Sequence, residues 1–199
     1  EPGSIFKVFT GLAALEHGVV SVQDTFNGND GIDVSGHTMH NADNESFGIV
    51  TFGEIIEHSV NTGMIRVAQL LGEEPFHSFL TSLEFGRPTR VGLPGEESGI
   101  LRPVENWSGL ALAATSIGQS VAVTGIQLVR ALAVVASGGI LRTPTIVMAG
   151  TTDDPAHEGV RVCKAATAQT MLDLMETVIE SGTGTWAAVD GFALAGKSG

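Results

Sequence analysis

The sequence opens with EPGSIFK (residues 1–7), in which a serine stands three residues before a lysine. Apolar residues recur at helical spacing after it, so we predict a helix over residues 4–16. This spacing places the side chains of Ser4 and Lys7 on one face, about one helical turn apart. A neutral lysine there can take the proton of the serine hydroxyl and turn it into a nucleophile. The same pair would also suit an ordinary helix start, with Ser4 as the N-cap and Lys7 in solvent.

A lysine base needs a special environment, because its side chain normally titrates near about 10.4. Burial, or a second cation close by, would lower the pKa of Lys7 and allow it to be neutral at working pH. The N-terminus of the predicted helix supplies part of that positive field and could help to form an oxyanion hole.

Two further short motifs carry polar groups suited to the same chemistry. Ser59 and Asn61 stand at a predicted helix break, where the hydroxyl could relay a proton to a leaving amine and the amide could hold a substrate backbone. Lys197, Ser198 and Gly199 follow an apolar, strand-like run. The cation and the hydroxyl could bind a carboxylate, and the glycine would let the backbone approach closely. Taken singly, the two motifs would also suit a capped turn and the end of a strand.

Hydrophobic periodicity predicts a chain rich in helix. The helical regions are residues 4–16, a region opened by a capping box at Thr51 that breaks near Ser59 and resumes to residue 71, and residues 74–83, 107–117, 124–136 and 164–180. Residues 140–148 and 192–197 are the better strand candidates, and residues 21–50 read as a loop with short strands.

Composition excludes several classes of function. The chain has 199 residues with 10 Lys plus Arg against 22 Asp plus Glu, a formal net charge of −12, so a nucleic-acid partner or an anionic membrane surface is disfavoured. With 43% hydrophobic and 16% charged residues the chain should fold. The longest apolar runs fall short of the roughly 18 residues that a membrane helix needs.

Metal and thiol chemistry receive little support. The single cysteine, Cys163, cannot form an intrachain disulfide, and we expect it to be a buried, unreactive thiol. His37 and His40, with Asp43 and Glu45 nearby, could bind zinc weakly. We favour the interpretation that these residues belong to an ordinary polar loop, and we predict no metal and no cofactor.

The three motifs occur together and in order, although the chain has only three lysines and two of them fall in these motifs. In this combination the chain resembles the transpeptidase domain of penicillin-binding proteins. The flanking segments narrow the resemblance to the monofunctional, class B group and extend it from end to end of the chain. They are LPGE (93–96), WS (107–108), SIGQ (116–119), VTGIQL (123–128) and GTGT (182–185).

The resemblance implies a serine β-lactamase-like α/β (α+β) fold, in which a helical subdomain packs on an antiparallel sheet and the active site lies in the cleft between them. Residues 1–199 would form a partial transpeptidase domain that lacks the sheet strands found before the first motif and after the third. Residue 200 would then supply the second backbone donor of the oxyanion hole. We therefore expect the isolated 199 residues, with their sheet incomplete, to be nearly inactive.

The resemblance also assigns roles to the first two motifs. Ser4 would be the acylated nucleophile and Lys7 its base. Ser59 would relay a proton to the leaving D-alanine, and Asn61 would bind the substrate backbone and help to position Lys7.

In the third motif, Lys197 and Ser198 would engage the terminal carboxylate of the substrate, and Gly199 completes the substrate-binding segment. Lys197 would also be the second cation that lowers the pKa of Lys7.

The implied enzyme is a serine-type peptidoglycan D,D-transpeptidase. It would take D-Ala-D-Ala stem peptides as donors, transfer the acyl group to an amine of a neighbouring stem, and be acylated by β-lactam antibiotics. Other cell-wall synthesis proteins would be its partners. The complete protein would be anchored in the cell membrane with this domain on the extracytoplasmic side.

Two alternatives share these motifs. A serine β-lactamase of class A would carry a Glu-x-x-x-Asn motif, which is absent after Asn61, and one of class D would have Val or Ile in place of Asn61. A β-lactam sensor domain would form the acyl-enzyme but signal instead of cross-linking. Turnover of nitrocefin would indicate a lactamase, and cross-linked stem peptides would indicate the transpeptidase.

Overall fold

Helix α1 (Lys7–Glu16) lies at the centre of the molecule, because it is buried around most of its circumference. Every residue from Lys7 to Ala14 is buried, as expected for a largely apolar helix, and Lys7 and Thr10 are the two of them with polar side chains. Helices α2, α3, α4 and α7 pack around it. Gly11 permits the close approach of α7, since a Cβ there would lie 2.8 Å from Met171 Cε.

The computed structural model describes residues 1–146 and 159–199. The remaining helices are α2 (Phe52–Glu57), α3 (Asn61–Leu71), α4 (Glu73–Ser82), α5 (Ala111–Ser116), α6 (Gly125–Ala136) and α7 (Ala165–Glu180). The strands are β1 (Thr25–Asn27), β2 (Ile32–Val34), β3 (His37–Met39), β4 (Ile49–Thr51), β5 (Ile140–Leu141) and β6 (Val160–Arg161). They form antiparallel pairs: β1 with β4, β2 with β3, and β5 with β6.

Local capping signals confirm two predicted helix starts. The Thr51 hydroxyl accepts from the Glu54 backbone N–H at 3.2 Å, and the Glu54 carboxylate accepts from the Thr51 N–H at 2.6 Å. Thr124 and Gln127 form the same reciprocal capping box at the start of α6. The predicted break between α2 and α3 is also present, and Ser59 in it has a left-handed backbone with φ +58°.

Three predicted elements after the first helix differ clearly from the structure. The helix over 107–117 shortens to α5, because Trp107 has an extended backbone and ends a separate 3₁₀ turn at Val104–Asn106. The strand over 140–148 shortens to β5, and its last two residues lie outside the described ones. The strand over 192–197 is wrong: this segment is irregular. Within the described residues no strand pairs with it, and a strand requires a hydrogen-bonded neighbour.

The start of the first predicted helix is a 3₁₀ turn, Gly3–Phe6, which continues into α1. Lys7 has no exposed surface, so the interpretation of Lys7 as a solvated residue of an ordinary helix start is wrong. Cys163 is buried as expected, and burial raises the pKa of its thiol to about 11. Among residues 1–146 and 159–199, no helix is both long enough and apolar enough to cross a bilayer.

Candidate active site

The segment that carries Ser4 is hydrogen-bonded to residues outside its own helix. Gly3 has a left-handed backbone, and its N–H donates to Gly118 O at 3.1 Å. The Ser120 N–H donates to the Glu1 carboxylate at 2.9 Å. The turn around Gly118 therefore fixes the backbone immediately before Ser4, whose side chain lines a cavity.

Lys7 lies under this cavity, fully buried. Its Nζ donates to the Ser59 backbone O at 2.5 Å, to Ser59 Oγ at 3.1 Å and to Asn61 Oδ1 at 2.5 Å. Burial is the main cause that lowers the pKa of Lys7 well below its ordinary value, and the charge of Lys197 lowers this pKa further. The neutral amine, which can accept a proton, is thereby favoured.

Ser59 connects the two lysines. Its Oγ accepts from Lys7 Nζ at 3.1 Å and from Lys197 Nζ at 2.8 Å. A hydroxyl has two lone pairs and one proton, so these two contacts occupy its acceptor capacity. While Lys7 is an ammonium and donates to this hydroxyl, the Ser59 proton is therefore free to be donated into the cavity that Ser59 lines together with Ser4.

Asn61 is oriented by two opposed contacts. Its Oδ1 accepts from Lys7, and its Nδ2 donates to the His40 backbone O at 2.8 Å. His40 itself is paired through Nδ1 with the Asp30 carboxylate at 2.8 Å. Within the described part of the chain no group of three or more His, Cys, Asp or Glu side chains could hold a metal ion.

The loop that carries His40 is anchored by Asn41, which sequence reasoning missed. This side chain is 5% exposed, and its Nδ2 donates to Gly28 O at 2.9 Å and Glu45 O at 2.8 Å. Its Oδ1 accepts from the Thr62 backbone N–H at 3.0 Å. Asn41 therefore ties the loop to the first turn of α3, next to Asn61. The sequence offered only an asparagine in a loop rich in Gly, Asn and Asp.

Lys197 and Ser198 complete the site from the other end of the chain. Lys197 Nζ donates to Ser59 Oγ, to Ser198 O at 2.9 Å and to Ser198 Oγ at 3.3 Å. Burial lowers the pKa of Lys197 to about 8, so at neutral pH it still carries its charge. A Cβ at Gly199 would lie 2.5 Å from Ile5 Cγ1, so glycine permits the close approach to the segment that carries Ser4.

The cavity between these residues has a volume of about 370 Å³. Five of the residues proposed from sequence line it: Ser4, Ser59, Asn61, Ser198 and Gly199. Lys7 and Lys197 each contact Ser59, which forms part of its wall. The structure therefore brings all seven together. It adds lining residues that the sequence did not place in this site: Asn41, Ala42, Asp43, Glu45, Phe47, His58 and Thr183.

Residues 1–199 match the family described as the penicillin binding protein transpeptidase domain. The chain belongs to this family. As a member of the penicillin-binding protein transpeptidase family, it is 34% identical to the penicillin-binding protein PbpB of Mycolicibacterium smegmatis, over all of this chain and 33% of PbpB. It is 30% identical to the peptidoglycan D,D-transpeptidase FtsI of Escherichia coli K12, over all of this chain and 33% of FtsI. The chain thus spans about a third of the length of these relatives.

The fold of this transpeptidase-family chain also matches solved structures. Penicillin-binding protein 3 of Mycobacterium tuberculosis, complexed with aztreonam, superposes with a TM-score of 0.91 at 32% identity. The match covers 99% of this chain and 47% of that one. The mixed helix and strand architecture expected from the sequence is therefore that of a penicillin-binding protein transpeptidase domain.

Proposed function

We propose that the complete gene product is a peptidoglycan D,D-transpeptidase that forms an acyl-enzyme on Ser4. The observation that carries this proposal is the Ser59 hydroxyl, which accepts hydrogen bonds from two lysine side chains in a cavity lined by Ser4. The arrangement supplies a nucleophile, a base and a proton relay. FtsI, which is named a peptidoglycan D,D-transpeptidase, supports the assignment of the reaction.

In acylation, Ser4 Oγ attacks the carbonyl carbon of the penultimate D-alanine, and its proton passes to Lys7 Nζ. The tetrahedral intermediate collapses when the C–N bond breaks. The leaving amine takes the Ser59 proton, and Ser59 is reprotonated by the Lys7 ammonium 3.1 Å away. Lys7 therefore begins and ends the step neutral, which its lowered pKa favours.

In the second step, an amine of a neighbouring stem peptide attacks the ester carbonyl on Ser4. The amine loses a proton, the C–O bond breaks, and Ser4 regains its hydroxyl proton while the new amide forms the cross-link. A β-lactam would acylate the same serine, but its leaving amine stays tethered to the acyl group. The aztreonam complex of the tuberculosis penicillin-binding protein 3 supports β-lactam binding.

Recognition of the donor peptide falls to the third motif. Lys197 is charged at a pH below its pKa of about 8 and offers a cation to the terminal carboxylate. The Ser198 hydroxyl beside it offers a hydrogen-bond donor. Asn61 lines the cavity and presents its amide to the substrate backbone.

We also propose the setting in which this chemistry operates. Because the matched relatives are about three times longer than the matched region, residues 1–199 would act as one part of a larger transpeptidase domain with further sheet strands. The gene product would be anchored in the cell membrane, face the extracytoplasmic peptidoglycan, and work with other cell-wall synthesis proteins.

Labelling of the complete gene product by a fluorescent penicillin tests the proposal. Ser4→Ala removes the nucleophile and should abolish labelling, whereas Ser78→Ala, at an exposed serine of α4, should leave it unchanged. Undiminished labelling of Ser4→Ala would refute the assignment. Rapid turnover of nitrocefin would indicate a β-lactamase instead, and a stable adduct without cross-linked product would indicate a sensor.

A further inference from the structure

Thr183 and Ser198 place two hydroxyl groups side by side in the wall of the active-site cavity. Their Oγ1 and Oγ atoms are 2.6 Å apart, and both residues line the cavity. Thr183 is hydrogen-bonded to helix α2, because its backbone N–H donates to Glu57 O at 3.2 Å. Gly182 makes that contact possible, since a Cβ there would lie 2.8 Å from Glu57 Cγ and closer still to the Glu57 carbonyl oxygen.

The hydrogen-bond count of this pair leaves a proton available. Lys197 Nζ donates to Ser198 Oγ at 3.3 Å, so Ser198 acts as an acceptor toward the lysine. The two hydroxyls carry two protons, and the hydrogen bond between them uses one. The Glu57 carbonyl lies 3.5 Å from Thr183 Oγ1, at the long limit of a hydrogen bond. An anion in the cavity would therefore receive the second proton at little cost.

We propose that Thr183 is a specificity-determining residue, a further hydroxyl donor for the terminal carboxylate of the donor peptide. This inference rests on the proposed transpeptidase function and deepens it. The Thr183–Ser198 pair offers its one free proton to the carboxylate beside the Lys197 charge, and Thr183 is the donor when Ser198 donates to Thr183. A neutral group at the same place gains far less, because hydrogen bonds to charged acceptors are the stronger ones.

The test compares acylation of the complete gene product by two probes, a penicillin with a free carboxylate and its methyl ester. Thr183→Val keeps the side-chain shape and removes the hydroxyl. We expect it to slow acylation by the acid about 10- to 100-fold, because one charge-assisted hydrogen bond is lost. The rate with the ester should be unchanged. Thr183→Ser, which retains a hydroxyl, should react with the acid at close to the original rate.

Thr185→Val is the matched control, because Thr185 is exposed two residues away and is not part of the cavity wall. It should react with both probes as the unchanged protein does. Equal slowing of both probes by Thr183→Val would show a merely structural role and overturn the inference, as would an unchanged rate with the acid. Thr183→Ala provides the same comparison if the valine variant does not fold. Should the unchanged protein react with neither probe, the transpeptidase proposal itself would fail.

Discussion

The Gly118→Ala substitution tests how the fold holds Ser4 in place. Gly118 has φ +81°, and its carbonyl accepts the Gly3 N–H at 3.1 Å, one residue before Ser4. A Cβ at position 118 would lie 2.7 Å from Gly3 C and 2.8 Å from Gly3 N, with the carbonyl oxygen closer still. Because the obstructing atoms are backbone, no rotamer change relieves the clash. The two segments must move apart.

The size of the effect follows from these distances. To bring the Cβ–C distance from 2.7 Å to an ordinary contact of 3.4 Å, the segments must separate by about 0.7 Å or more. Misplacing a reacting group by about 1 Å costs on the order of 100-fold in rate. The left-handed backbone adds strain of about 1–3 kcal/mol for alanine. We therefore expect acylation of Ser4 to slow on the order of 100-fold while most of the folded protein persists.

The assay is the second-order rate constant for acylation of the complete gene product by a fluorescent penicillin, measured beside urea unfolding. Gly125→Ala is the control, since Gly125 opens α6 and a Cβ there meets no atom within 4 Å. Its rate should be unchanged and its free energy of unfolding should stay within about 0.5 kcal/mol. If Gly118→Ala were acylated at the original rate, the turn around Gly118 would not position Ser4.

Two further predictions concern pH and the loop anchor. The rate of acylation by a penicillin with a free carboxylate should decline as the pH rises through about 8, because Lys197 loses its proton there. The rate should also decline as the pH falls, because Lys7 becomes protonated and can no longer act as a base. The methyl ester should lack the alkaline decline, and a decline near pH 10 instead would contradict the assignment to Lys197. Asn41→Ala should lower the free energy of unfolding by about 2–4 kcal/mol, because Gly28 O and the Thr62 N–H lose a buried partner. A loss below about 0.5 kcal/mol in urea unfolding would show that Asn41 does not anchor the loop.

Helix starts, and the residues that meet at the candidate site, could be predicted from the sequence. The capping boxes at Thr51 and Thr124 involve hydrogen bonds that span three residues, so the local sequence contains all the information. The spacing of Ser4 and Lys7 is equally local. The strand over 192–197 was predicted from apolar character alone and was wrong, because a strand depends on a neighbour that local sequence does not specify.

What the sequence determined by itself is the set of candidate reactive groups and their order along the chain. Only the tertiary structure decided their state. Lys7 meets Ser59 across 52 positions, and Lys197 meets the same hydroxyl across 138. Burial and Coulomb interaction depend on distance in space and on exclusion of water. For that reason the lowered pKa of Lys7, the contacts of Ser59 with two lysines and the place of Thr183 in the cavity wall arise only when distant segments pack together.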